Sequence, residues 1–295
     1  MFGVSGHDPQ IDGHAYPATR ARAQLELAAS IGMQSYRVDW RIPTADPSVV
    51  DWSWYDDIVE AAEHWSMSLF AVLAPPEGQA MPWYRDRVAA LVDRYAGRIA
   101  TFQLENERDN VAILGPQLDG SQVEHFDRDR YRAVRDRMAA INAGVRDGDP
   151  TARTAVTIAW KHTGFVQMLN DDGLDHDVNT LNWYGDADDL LQVLDVLRQF
   201  PQRELALTEL NSSGGAQGGI AQAEELQTDR LRTLLTAIVA HAPAELRSVY
   251  FYELLDQPTA EDAEAHYGLF QVLPDGRWGR RKPATDLIAE FAARR

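Results

Sequence analysis

Eight short apolar runs, each followed by a loop and a helical stretch, constrain this chain more than any other feature. The runs fall at residues 2–5, 35–39, 69–74, 99–104, 154–160, 178–183, 205–208 and 248–252. None alternates over a long stretch, which is the pattern of strands buried on both faces in a parallel sheet. Helical spacing fills the intervals. Residues 18–31 stop at Gly32, 54–66 follow Asp51, 81–95 stop near Gly97 and 127–143 stop at Gly144. Residues 164–172 hold a shorter helix, 188–200 close on Pro201, 221–241 close on Pro243, and 284–293 come last. Eightfold strand–helix alternation predicts an α/β fold: a (β/α)8 TIM barrel forming one domain over residues 1–295. An open doubly wound sheet is the competing architecture, but no GxGxxG or GxxxxGK(S/T) loop follows any strand.

Composition narrows the chemistry. With no cysteine, disulfides, thiolate metal sites and cysteine nucleophiles are excluded. A net charge of -17 repels nucleic acid and anionic membranes at long range, so neither is expected as a partner. The cations are nearly all arginine, with Lys161 and Lys282 the only lysines. No apolar run approaches the ~18 residues of a membrane span. Met1 leads straight into the first strand without the charged and apolar regions of a signal peptide, so a soluble monomer is expected, with export left open. The histidines form neither HxH nor HExxH, which disfavours a metal-dependent hydrolase, and no cofactor is expected.

In a (β/α)8 barrel the chemistry sits where strands end at the C-terminal face. The fourth run exits through Asn106-Glu107 and the seventh through Thr208-Glu209. Two carboxylates at one barrel mouth are what glycosidic cleavage needs: one protonates the leaving oxygen, the other attacks the anomeric carbon or activates water. A single strand-end glutamate would be weak evidence, because caps and salt bridges use them too.

With those residues in view, the sequence resembles clan A glycoside hydrolases, retaining enzymes on (β/α)8 barrels, along its whole length. The resemblance implies Glu107 as acid/base and Glu209 as nucleophile, with Asn106 on the sugar 2-hydroxyl. It also implies that Arg37 in Tyr36-Arg-Val-Asp-Trp40 holds the nucleophile ionised, and that Tyr184 in Leu181-Asn-Trp-Tyr-Gly185 bonds to it, with Asn182 beside it. The opening Phe2-Gly-Val-Ser-Gly-His7, together with His266-Tyr-Gly-Leu-Phe270 and Lys282-Pro-Ala284, is similar to family 39 and related bacterial exopolysaccharide hydrolases. Two features depart from the clan. Arg108 stands where proline commonly follows the acid/base, and the eighth-strand aromatic is left among Tyr250, Phe251 and Tyr252. Of these, Tyr252 is taken as the substrate contact.

Other residues have competing readings. Trp160, Trp183 and Trp40 lie at strand ends, where they either stack on sugar rings or pack the rim. Trp83 either packs its helix or reaches a distal subsite. Glu105 could point into the barrel by strand alternation and is read as a supporting residue. Glu77 is read as loop surface. His7 and His162 either touch substrate or are satisfied structural histidines. Residues 186–189 read as an acidic helix N-terminus, with calcium binding the lesser alternative.

The resulting expectation is a retaining β-glycoside hydrolase that cleaves a polysaccharide internally. The alternatives are exo release of single sugars, as by β-xylosidases, and a barrel that binds carbohydrate without turnover. A metal-dependent isomerase or aldolase would need a ligand cluster or a strand-end lysine, for which Lys161 is the only candidate.

Overall fold

A computed structural model describes residues 1–202, 204–212, 220–261 and 263–293. Eight parallel strands follow one another in sequence order: β1 (Phe2–Gly6), β2 (Ser35–Arg41), β3 (Ser68–Ala74), β4 (Thr101–Gln103), β5 (Arg153–Ala159), β6 (Val178–Trp183), β7 (Glu204–Leu210) and β8 (Leu246–Phe251). Strand β8 pairs back onto β1, so the sheet closes into a barrel. Between the strands run α1 (Ala21–Ser30), α2 (Ser53–His64), α3 (Met81–Arg94), the single turn α4 (Asp109–Ala112), α5 (Arg128–Gly148), α6 (Thr163–Asp171), α7 (Ala187–Leu197) and α8 (Ile220–His241). After β8 comes an antiparallel hairpin, β9 (Phe270–Val272) and β10 (Trp278–Arg281), and then α9 (Pro283–Ala293). The hairpin is a departure from the sequence expectation, which placed no strand after the eighth. No described helix is long and apolar enough to cross a membrane.

The pleat sorts side chains between two cores. Tyr36, Val38 and Trp40 face outward into the large apolar layer between sheet and helices. A much smaller apolar cluster of Phe70, Ala155, Val178, Ala206 and Tyr250 plugs the barrel interior. Much of the remaining interior is polar and hydrogen-bonded, as in the 2.5 Å contact between the Thr157 and Thr180 hydroxyls. A barrel interior is filled by side chains rather than left open. Here the polar filling sits under the mouth and holds the groups described below.

Helix α5 runs four residues past its expected stop at Gly144. That glycine is a helix contact, not a C-terminal cap. A Cβ there would lie 2.5 Å from the Arg85 carbonyl of α3, and one at Gly148 would lie 2.6 Å from the Ala89 carbonyl. At the other end Asp127 caps α5 through the Asp129 and Arg130 amides.

Candidate active site

Two breaks in strand regularity build the site. Strand β4 is only three residues long. After Leu104, whose amide still bonds to the Ala155 carbonyl, the chain turns through Glu105 at φ 66° and Glu107 at φ 47°. Left-handed backbone is uncommon for residues with a Cβ, and such conformers cluster at functional sites. By simple alternation Glu105 would follow Gln103 into the barrel. The turn reverses that parity: Glu105 swings out to Arg137 of α5, and Asn106 turns in to Arg37 and Gln103.

The second break is in β7. Leu207 pairs with Val249 and Leu210 with Phe251, while across the other edge Leu181 pairs with Leu207 and Asn182 with Glu209. One extra residue sits in the strand, a bulge of the kind that re-aims side chains next to active sites. It lets consecutive residues serve the same network. Thr208 donates to the Asn182 side-chain oxygen at 2.8 Å, and Glu209 faces Arg37.

The two glutamates have contrasting surroundings. Glu209 is buried, with one carboxylate oxygen taking Arg37 Nη1 at 3.1 Å and the other taking the Tyr184 hydroxyl at 2.6 Å. Arg37 is itself fixed by Gln103 at 3.0 Å, Ser5 at 3.3 Å and the Asn106 side-chain oxygen at 2.9 Å. Among the described residues Glu107 has no cationic bond of this kind; Asn182 donates to it at 2.7 Å and Asn110 at 3.0 Å. Burial, reinforced by the charge of Glu209, pushes its carboxyl up to about 7. Asn106 and Asn182 link the pair: Asn106 Nδ2 is 3.4 Å from Glu209, and Asn182 Nδ2 reaches both Glu107 and the Asn106 oxygen. Asn106 is exposed, so its amide can turn to a ligand.

Beside Glu209 stands a wall of tyrosines. Tyr184 and Tyr267 have ring centroids 5.2 Å apart, and Tyr252 lies 6.0 Å from Tyr267. Among the three eighth-strand aromatics, Tyr250 is sunk in the lower interior cluster and Phe251 in the outer core, which leaves Tyr252 at the mouth. The Tyr252–Glu253 peptide is cis. His7 donates or accepts on both ring nitrogens, to Asp39 at 2.6 Å and to the Tyr252 hydroxyl at 3.1 Å, and Glu253 lies 3.4 Å away. Burial opposes its charge, but Asp39 and Glu253 outweigh burial and raise the imidazole to about 9. His7 therefore orients Tyr252 from a saturated position rather than offering a free nitrogen.

The tryptophans divide. Trp160, at φ 52°, is 41% exposed on the rim, and Trp183 is stacked against it at 4.8 Å and 6°. The expectation that Trp183 touches substrate does not fit this arrangement. Position 183 follows the inward Asn182, so it faces outward, is fully buried, and donates its indole N–H to the Asp186 carbonyl. Its role is to support the Trp160 ring. Trp40 is likewise buried, between Tyr55 and Tyr95. Trp83 is half-buried at the start of α3, with Arg87 over its ring. Lys161 pairs with Asp189 at 2.7 Å and lies over Trp160 rather than in the barrel mouth. Residues 187–189 do begin a helix, with Asp188 and Asp189 in its first turn.

Sequence reasoning left Asn110, Gln103, Asp109, Asp39, Glu253 and Tyr267 without roles. Asp109 receives His162 Nδ1 at 2.5 Å and the Ala159 amide at 2.9 Å, tying the turn after Glu107 to β5. Beside it a cleft of about 570 Å³ is lined by Asn110, Leu118, Trp160 and His162. A second cleft, of about 520 Å³, lies on the β2–β3 rim between Arg41, Trp52 and Pro76. Asp39 and Tyr267 lie inside motifs already noted, and Asn110 lies close to one, so these three carried a visible signal.

Solved structures share this architecture across nearly the whole chain. A family 1 β-glucosidase from Thermotoga maritima superposes with a TM-score of 0.75 at 12% identity, covering 99% of this chain and 97% of its own. GH5_18 from Streptomyces cattleya, in complex with Manb1-4GlcNAc, superposes with a TM-score of 0.74 at 16% identity, covering 99% and 80% respectively. At such identities the likeness carries the (β/α)8 fold and not the chemistry. No protein-family model matches the chain, and no curated protein does.

Proposed function

We propose that this chain is a retaining β-glycoside hydrolase, with Glu209 as nucleophile and Glu107 as acid/base. The observation that carries the reading is the division of labour between two carboxyl groups at one barrel mouth. Glu209 is held by Arg37 and Tyr184, while Glu107 sits among amides and is raised to about 7. One carboxylate held by an arginine and a tyrosine, and one carboxyl kept protonated by burial, suit the roles of nucleophile and acid.

In the first step Glu209 attacks the anomeric carbon. The bond to the leaving oxygen breaks as that oxygen takes the Glu107 proton, giving a glycosyl ester on Glu209 and a Glu107 carboxylate. Esterification removes the Glu209 charge that helps raise Glu107, so Glu107 becomes more acidic and is suited to act next as base. In the second step it takes a proton from water, the water oxygen attacks the anomeric carbon, and the ester breaks. Asn106 binds the sugar 2-hydroxyl, and Tyr184, Tyr252 and Tyr267 line the glycone side. Trp160 offers its face to the leaving-group side, next to Asn110.

The substrate is a neutral or amino-sugar polysaccharide cut internally. The clefts on the β4–β5 and β2–β3 rims support this, because they give several sugars a place along the mouth. The likeness of the chain's opening and close to bacterial exopolysaccharide hydrolases points the same way. The test is release of reducing ends from a panel of polysaccharides and aryl glycosides. Oligosaccharide products lost in a folded Glu209→Gln chain are expected. Single sugars as the first product would replace internal cleavage with exo action, and equal turnover by wild type and Glu209→Gln would sink the assignment.

A further inference from the structure

The turn that presents Asn106 and Glu107 has two left-handed residues in three, yet its backbone anchors are few. Glu105 N donates to the Gln103 carbonyl at 2.9 Å, Gln103 Nε2 donates to the Glu105 carbonyl at 3.0 Å, and Asn110 N donates to the Glu107 carbonyl at 3.2 Å. All three lie within the segment itself. The outside restraint on the Glu105 side is Arg137, midway along α5. Arg137 is 5% exposed, and its guanidinium lies over the Tyr84 ring at 4.9 Å. It donates to the Glu105 carboxylate, to the Pro75 carbonyl at 2.9 Å and to Glu77. Arg108 joins the same Glu77 at 2.8 Å. One planar, multiply donating cation thus ties α5, the loop after β3 and the turn after β4.

We infer that Arg137 is a positioning residue for the acid/base. By drawing the Glu105 carboxylate outward it holds the reversed parity that aims Glu107 into the mouth beside Asn182. The inference rests on the reading of Glu107 as acid/base, but the geometry stands apart from it. A lysine offers a point charge and cannot hold Glu105, Glu77 and the Pro75 carbonyl in one plane, so Arg137→Lys should restore the arrangement only in part.

The test follows the Glu107 carboxyl directly, by carbon NMR of the full chain labelled with [¹³C]glutamate. Its resonance is identified by its absence in Glu107→Gln. In wild type it titrates near 7, with Glu209, Asp109 and Arg37 as the charged groups around it. In Arg137→Gln the turn relaxes, Glu107 gains solvent, and the midpoint moves toward the ordinary 4.5. Arg137→Lys falls between, and Arg146→Gln, on the same helix but paired to Asp177, leaves the midpoint in place. If Arg137→Gln does not fold, the double variant Glu105→Gln/Arg137→Gln has no unpaired buried carboxylate and should show the same displacement. A wild-type midpoint in either folded variant overturns the inference.

Activity gives a second readout that a merely structural pair would not produce. Misplaced acid catalysis should cost about 10²-fold in kcat/KM for alkyl and phenyl glycosides, yet about twofold or less for 2,4-dinitrophenyl glycosides, whose leaving group needs no proton. Equal losses on both classes would also overturn it. Failure of wild type to cleave any glycoside would remove the hydrolase reading and leave the titration result to judge the clamp.

Discussion

Burial and the Glu209 charge hold the Glu107 proton up to about 7, so kcat/KM should fall as pH rises through that value. A pH–rate profile in which Glu107→Gln abolishes the alkaline limb would support the assignment; an unchanged limb would speak against it. At Trp160 the expectation is different. Trp160→Ala removes a rim face but no charged group, so it should raise KM for oligosaccharides by roughly fivefold, the loss of about 1 kcal/mol of stacking, and leave aryl glycosides little changed. An equal effect on both substrates would place Trp160 outside the leaving-group side. Asn106, Glu107 and Glu209 were legible in the sequence because each falls at a strand exit that barrel topology points to one mouth, whereas Arg37, in the middle of β2, and Tyr184 came from the clan A resemblance. Trp183 was misread because strand position alone does not say which face of the sheet a residue takes.

The elements that matter most are the irregular ones. The β4 turn and the β7 bulge each change side-chain parity by one residue, and no spacing rule in the sequence announces either. Alternation would aim Glu105 inward and leave Glu209 on the wrong face. The helices were more legible, since their apolar spacing and glycine or proline ends mark them. Gly144 is the instructive exception: the same residue type that ends helices also lets two of them touch. Because a Cβ at 144 meets backbone rather than a movable side chain, Gly144→Val should destabilise the fold by about 1–3 kcal/mol. Urea unfolding of the variant checks this, and a loss below about 0.5 kcal/mol would show that α3 and α5 can separate freely.

For the whole molecule, the repeated strand–helix pattern carried the closed barrel, while the hairpin of β9 and β10 did not stand out because its strands are only three and four residues long. The barrel mouth also gives the molecule a pH-dependent stability. His7 is raised from 6.5 to about 9, and burial raises Glu253 from 4.5 to about 8 and Glu107 from 4.5 to about 7. Each folded state binds its proton more tightly than the unfolded chain. The stabilisation is therefore complete below the ordinary value and is lost as pH rises through the raised one. The Tm should fall between about pH 5 and pH 9, and His7→Gln or Glu253→Gln should flatten that slope. A Tm that climbs over the same window would contradict the arrangement of charges around Tyr252.

In the proposed reaction Glu209 attacks the anomeric carbon from the face opposite the leaving group. Replacing it with glycine opens space for azide at that position, and the anomeric configuration of the rescued product identifies the face of attack. With Glu209→Gly, a β-linked substrate and sodium azide, restored turnover and an α-glycosyl azide by ¹H NMR are expected. A β-glycosyl azide, or hydrolysis undiminished without azide, would contradict it.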